Sequence, residues 1–193
     1  MEKRLEYGLI GAKLGHSFSP EIHARIGHYP YELLELSPDG VRQLLEERRF
    51  CGLNVTIPYK ELVIPLLDEV SERAQKIGAV NTIVNRNGLL YGDNTDYSGA
   101  AALIRHAGVE IAGRKVLILG TGGTSKTLQA VTQDLGAREI VCVSRHGGEG
   151  LCTYEEVSRL HPDAQVIVNT TPVGMYPDCG VSPIRLSEFK RCE

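Results

Sequence analysis

Between Leu119 and Ser125 the chain reads Leu-Gly-Thr-Gly-Gly-Thr-Ser, straight after the apolar run Lys115 to Leu119 and straight before a helix-compatible stretch, Gly123 to Leu135, closed by Gly136. A glycine-rich turn between a buried strand and a helix leaves few folds open. Backbone N–H groups at a helix start, free of Cβ atoms, make an anion cradle of the kind a dinucleotide pyrophosphate needs. The next apolar run, Glu139 to Val143, completes a βαβ unit with parallel strands. The turn departs from G-x-G-x-x-G at Ser125, where that pattern has its third glycine. The same serine rules out the phosphate loop G-x-x-x-x-G-K-[ST], despite Lys126-Thr127. An ordinary tight turn fits these letters too, but the strand-turn-helix context favours a dinucleotide, with Gly120, Thr121, Gly122, Gly123 and Thr124 as its candidate contacts.

The second strand of the unit ends in Ser144-Arg145-His146, where an NAD-selective site would carry Asp or Glu for the ribose hydroxyls. Ser144 and Arg145 are therefore candidate cofactor residues, and Arg145 suits the 2′-phosphate of NADP. An exposed arginine after a strand would look the same.

Upstream the pattern alternates. Glu6 to Gly11 reads as a buried strand, and Ser19-Pro20-Glu21 as a helix start, with Ser19 the N-cap, that Gly27 closes. Tyr31 to Leu36 is a second strand, Val41 to Arg49 a helix, and Gly52 to Ile57 a third strand stopped by Pro58. Leu62 to Val70 and, after a Ser71 cap, Glu72 to Ile77 read as helices; Ala79 to Val84 and Leu89 to Gly92 flank the hairpin signal Asn87-Gly88. Asn94 to His106 is the helix leaving this half, which places the domain boundary at 108 and gives domains of 1–108 and 109–193. Further on, Thr153-x-x-Glu156 has the form of a capping box, and Ala164 to Asn169 reads as a third strand of the second series. A doubly wound nucleotide domain has about six strands, so three before the tail Ser182 to Glu193 leave it partial.

Composition narrows the partners. A net charge of -3 and a pI near 6.1 give no broad basic surface for nucleic acid, which favours small molecules. No apolar run reaches membrane length and no signal core opens the chain, so a soluble cytoplasmic protein is expected. The five cysteines contain no CxxC pair, so neither a metal nor a disulfide framework is expected.

Three polar clusters sit beside apolar runs: Asn54-Val55-Thr56-Ile57-Pro58-Tyr59-Lys60, Ala79-Val80-Asn81-Thr82 and Gly92-Asp93-Asn94-Thr95-Asp96. Lys60 is the candidate acid/base. Each has a plainer reading, since most lysines are merely solvated, Asn94 or Thr95 is a natural helix cap, and an acid such as Asp96 suits a first turn.

In order along the chain, Gly15-His16-Ser17-Phe18-Ser19-Pro20, Asn54 to Lys60, Gly78-Ala79-Val80-Asn81-Thr82, Asn94-Thr95-Asp96, Gly120 to Thr124 and Asn169-Thr170-Thr171-Pro172-Val173-Gly174-Met175 resemble the motifs of the shikimate dehydrogenase family. The resemblance implies an α/β fold, an N-terminal α/β substrate domain followed by a partial Rossmann-like, doubly wound nucleotide domain. It implies NADPH-dependent reduction of 3-dehydroshikimate to shikimate, a step of aromatic amino acid biosynthesis. By likeness Ser17 and Ser19 hold the substrate carboxylate, Asn54, Thr56 and Asn81 contact the carboxylate or ring hydroxyls, and Lys60 with Asp96 forms the catalytic pair, Asp96 also touching substrate.

Two departures accompany the likeness. Family members often carry a second basic residue just after the first at the 2′-phosphate site, where this chain has Gly147-Gly148-Glu149. The family also continues through further nucleotide-domain strands, so low stability, association into a homo-oligomer or a differently folded tail is expected. The alternatives are a quinate/shikimate dehydrogenase using NAD(P), and a form that binds substrate without turnover.

Overall fold

The computed structural model describes residues 5–15 and 17–192. It forms two compact units, one running through Thr95 and the other starting at Asp96. The division falls ahead of the expected boundary at 108 because the helix beginning at Asp96 packs on the helix Gly123–Asp134, with the Tyr97 hydroxyl donating to Asp134 Oδ2 at 2.6 Å.

The first unit runs β1 (Tyr7–Gly11), α1 (Ser19–Ile26), β2 (Tyr31–Glu35), α2 (Pro38–Glu47), β3 (Gly52–Val55), β4 (Glu69–Val70), α3 (Glu72–Ile77), β5 (Thr82–Arg86) and β6 (Leu89–Asp93). Its six strands lie in the order β2-β1-β3-β5-β6-β4. The pairs β1–β2, β1–β3 and β4–β6 are parallel, and β3–β5 and β5–β6 antiparallel. Successive strand residues face opposite sides. Ile10, Leu53, Val55, Ile83 and Leu90 therefore meet Val41 and Leu45 of α2 in one apolar core closed by Phe50. The other side carries Tyr7, Tyr31, Asn54 and Thr82, and here α1 packs on β2 without burying a single residue of its own.

Local chemistry explains both the successes and the misses of the sequence reading here. Asn87 and Gly88 take positive φ (55° and 91°), as a two-residue hairpin turn requires, and the Asn85 side chain accepts from Gly88 N at 2.8 Å. Ser37 and Ser71 cap α2 and α3 through N–H groups three residues on. Ser19, by contrast, is the first helical residue rather than the cap; Phe18 holds the cap position and the Ser17 hydroxyl accepts from Ser19 N at 3.2 Å. The helix expected over Leu62 to Val70 does not form. Pro65 has no N–H to donate and disfavours helix at Ile64, so the segment makes a 3-10 turn, Ile64–Leu66, and then the short strand β4. Its apolar residues still pack on the core.

The second unit runs α4 (Asp96–His106), β7 (Lys115–Leu119), α5 (Gly123–Asp134), β8 (Glu139–Ser144), β9 (Leu151–Thr153), α6 (Val157–Leu160) and β10 (Val166–Asn169). Its sheet is β10-β7-β8-β9, parallel throughout. It has four strands where the sequence showed three. The extra strand, β9, occupies the start of the expected capping box: Thr153 pairs with Ser144, its hydroxyl donates to Glu156 Oε2 at 2.7 Å, and the helix starts only at Val157. Every residue of β7 is buried. Val116 and Ile118 face a core with Ile111 and Leu128, whereas Leu117 and Leu119 face a second core with Val143, Cys152, Val157 and Phe189.

Candidate functional site

In the first unit the sheet side that bears Tyr31 and Asn54 holds a continuous run of hydrogen bonds. The Tyr31 hydroxyl donates to Asn54 Oδ1 at 2.7 Å and is also bonded to the Ser19 side chain. Asn54 faces Thr82 across the antiparallel β3–β5 pair, with Nδ2 to Oγ1 at 3.5 Å. Thr82 donates to Asn81 Oδ1 at 3.0 Å, and Asn81 Nδ2 donates to Thr95 Oγ1 at 3.0 Å. Thr95 N returns a bond to Asn81 Oδ1 at 2.9 Å. Burial pushes the Tyr31 phenol up to about 12, against the lowering effect of the Ser19 bond, so it stays a neutral donor at physiological pH.

Of the residues proposed from sequence, Ser19, Asn54 and Asn81 thus belong to one polar run, and Ser17 adjoins it through its bond to Ser19 N. Thr56 sits one residue past β3, its N–H donating to Ile10 O at 2.9 Å and its carbonyl accepting from Tyr59 N at 2.9 Å. That turn delivers Lys60, half-buried, whose carbonyl accepts from Val80 N at 2.8 Å. Asp96 opens α4, next in chain to Thr95. Lys60 and Asp96 belong to different units. His16 of the first motif lies outside the described residues.

Sequence reasoning missed Tyr31, Thr82 and Thr95. Thr82 stood inside its quoted motif without a role, and Thr95 only as a candidate helix cap. The contact of Asn54 with Thr82 depends on strand register, and Tyr31 reads by itself as an ordinary strand residue.

In the second unit the glycine turn joins β7 to the start of α5. Gly120 has φ 108°, and a Cβ there would lie 2.9 Å from Thr170 Oγ1 and 3.1 Å from Thr171 Cγ2. Its N–H donates to Val143 O at 2.8 Å, which ties the turn to β8. Thr121 and Gly122 are exposed, and Gly123 and Thr124 open α5, so N–H groups at its start are available to a diphosphate. Space at Gly122 is open, with nothing within 4 Å of a built Cβ. These residues fit a dinucleotide. Ser144 shapes the loop after β8, its hydroxyl accepting from His146 N at 3.3 Å and donating to Gly147 O at 3.2 Å, while Arg145 stands exposed beside it. Among the described residues no group of acidic, His and Cys side chains could hold a metal ion. Within them no helix is long and apolar enough to cross a membrane.

Known proteins resemble this chain over most of its length. Residues 9–83 match the shikimate dehydrogenase substrate binding domain. The NADP(+) shikimate dehydrogenase of Clostridium beijerinckii is 38% identical over 195 residues, spanning 92% of this chain and 72% of that protein. The crystal structure of shikimate dehydrogenase 1 from Peptoclostridium difficile superposes with a TM-score of 0.86 at 39% identity, covering 95% of this chain and 73% of that one. The Thermus thermophilus shikimate 5-dehydrogenase, solved in complex with NADP(H) and shikimate, gives 0.81 at 32% identity, with 96% and 75% covered.

Proposed function

The chain belongs to the shikimate dehydrogenase family, and from that premise we propose that it interconverts 3-dehydroshikimate and shikimate, working in the direction of reduction, in the cytoplasm. It is an NADP-dependent oxidoreductase with an N-terminal substrate domain and a Rossmann-like nucleotide domain. The observation that carries the reading is the hydrogen-bonded run Ser19–Tyr31–Asn54–Thr82–Asn81–Thr95. A polyhydroxylated acid needs many fixed partners at once, and side chains already bonded to one another lose little freedom when they bind it.

In this reading Ser17 and Ser19 hold the carboxylate, with the neutral Tyr31 hydroxyl beside them, and Asn54, Thr56 and Asn81 take the carboxylate or the ring hydroxyls. The bound nicotinamide supplies the hydride. Lys60 donates a proton to the carbonyl oxygen as the ketone becomes an alcohol and takes it back in the reverse direction. Asp96 orients Lys60 and the reacting hydroxyl. Gly120 to Thr124 hold the diphosphate, and Ser144 and Arg145 the 2′-phosphate.

Oxidation of shikimate with NADP, followed by the absorbance of the reduced cofactor, tests the proposal. Turnover with Lys60→Ala reduced by ~10²–10⁴-fold is the expected result for loss of a general acid. A variant within tenfold of the parent removes Lys60 from the mechanism. Binding of shikimate without any turnover would make the chain a binding protein, and equal turnover of quinate would make it a quinate/shikimate dehydrogenase.

A further inference from the structure

The imidazole of His23, on α1, lies flat against the Tyr31 ring, with centroids 3.8 Å apart and planes 14° from parallel. Its Nδ1 shares a hydrogen bond with the Tyr29 hydroxyl at 2.7 Å, and the Tyr29 ring meets it edge-on at 5.8 Å and 71°. Tyr29 in turn rests against Tyr7 of β1, 4.8 Å between centroids. His23 is thus held at its face and at one nitrogen, by residues before and within β2. A tyrosine hydroxyl is placed by only two torsions, so a ring pressed against a fixed plane carries its oxygen to one position. For Tyr31 that position is the bond to Asn54 Oδ1 and Ser19.

We propose that His23 is a positioning residue: it touches no substrate, but it clamps the Tyr31 ring so that Ser19 and Asn54 are held at the separation a substrate carboxylate and its neighbouring hydroxyl require. This rests on the reading of Ser19 and Asn54 as substrate contacts. The plainer alternative is that His23 only fastens α1, which buries no residue of its own. The two differ in what happens when Tyr31 loses its hydroxyl but keeps its ring.

The test is a cycle of His23→Ala and Tyr31→Phe in the whole chain, read by calorimetric affinity for shikimate, with His23→Phe as a variant that keeps a stacking ring and folds where His23→Ala does not. Clamping predicts that His23→Ala weakens shikimate binding about tenfold in the parent and less than twofold in Tyr31→Phe, a coupling within the range measured for contacting residues. His23→Phe stays within threefold of the parent. Equal losses in both backgrounds, or none in the parent, overturn the proposal. A second readout needs no ligand: crystal structures of the parent and of His23→Ala compare the bond from the Tyr31 hydroxyl to Asn54 Oδ1, 2.7 Å in the parent. That bond lengthens or breaks in His23→Ala if the clamp exists, and keeps its length if it does not. A parent that binds no shikimate would refute the substrate reading of Ser19 and Asn54, and the pair of structures would still decide whether His23 clamps Tyr31.

Discussion

Ser125 stands where the dinucleotide pattern has its third glycine, and it is fully buried, with its hydroxyl accepting from Gln129 Nε2 at 3.2 Å. That glycine normally allows close packing of helix on strand, so a satisfied hydroxymethyl group marks a helix set for one small side chain. The motif is degenerate in its letters and intact in its geometry, which is why the turn was legible as a class and not as a match. Gly120 tolerates no such exchange. Its φ of 108° and the 2.9 Å approach of Thr170 Oγ1 predict that Gly120→Ala lowers stability by roughly 1–3 kcal/mol in urea unfolding. The same variant should weaken NADPH binding, because the turn that aims the α5 N–H groups is displaced. Arg145 is exposed and its role is purely electrostatic on the proposed reading. Arg145→Gln should therefore weaken NADPH about tenfold, ~1.4 kcal/mol, and leave NADH unchanged in parallel fluorescence titrations. Equal losses for both cofactors would remove Arg145 from the 2′-phosphate site.

Elements were read well where one local rule decided them and poorly where two competed. The Asn87-Gly88 hairpin and the Ser71 cap follow from single residues. Leu62 to Val70 has helical spacing, but Pro65 breaks it, and the apolar residues reach the core from a turn instead. Strand β9 is three residues long and pairs with β8 across a connection containing Gly147, Gly148 and Gly150, all at positive φ. Nothing so short has a periodicity to read. At the start of β7, Lys115 is 6% exposed and its ammonium bonds Asp163 Oδ1 at 3.0 Å and Glu139 Oε2 at 3.3 Å. Burial opposes its charge, yet the two carboxylates outweigh burial and raise its titration above the ordinary lysine range. The Lys115 hydrogen bond holds the Asp163 carboxyl below its usual range. A depressed carboxylate stabilises the fold above its unfolded value and ceases to as pH falls through its folded value. The stability gap between parent and Asp163→Asn should accordingly be full at neutral pH and close on acidification below the ordinary carboxylate range, as urea midpoints at successive pH values would show. A gap independent of pH would mean that the ion pair contributes nothing through charge.

At the scale of the molecule, the α/β class and the order substrate half then nucleotide half were legible, because hydrophobic runs and glycine turns alternate along the whole chain. What the sequence could not convey is how the last segment behaves, since Ser182 to Cys192 has no regular pattern. In the fold it returns to the sheet: Phe189 is 3% exposed among Leu117, Leu119, Val143, Cys152, Val157 and Ala164, with Ile184 and Cys192 beside it. The tail therefore closes one face of the second unit, and the apolar side of β7 and β8 that three bare strands would have exposed is covered. Truncating a buried phenylalanine removes its transfer energy and leaves a cavity, together ~3–5 kcal/mol. Because Phe189 lies in the core of the second unit alone, Phe189→Ala should speed amide exchange in β7 and β8 while β1 and β3 keep theirs. Light scattering on the same variant adds the partner question: if a covered sheet face is what keeps copies apart, Phe189→Ala associates at concentrations where the parent does not. No change of exchange in β7 and β8 would show that the tail lies on this core without contributing to it.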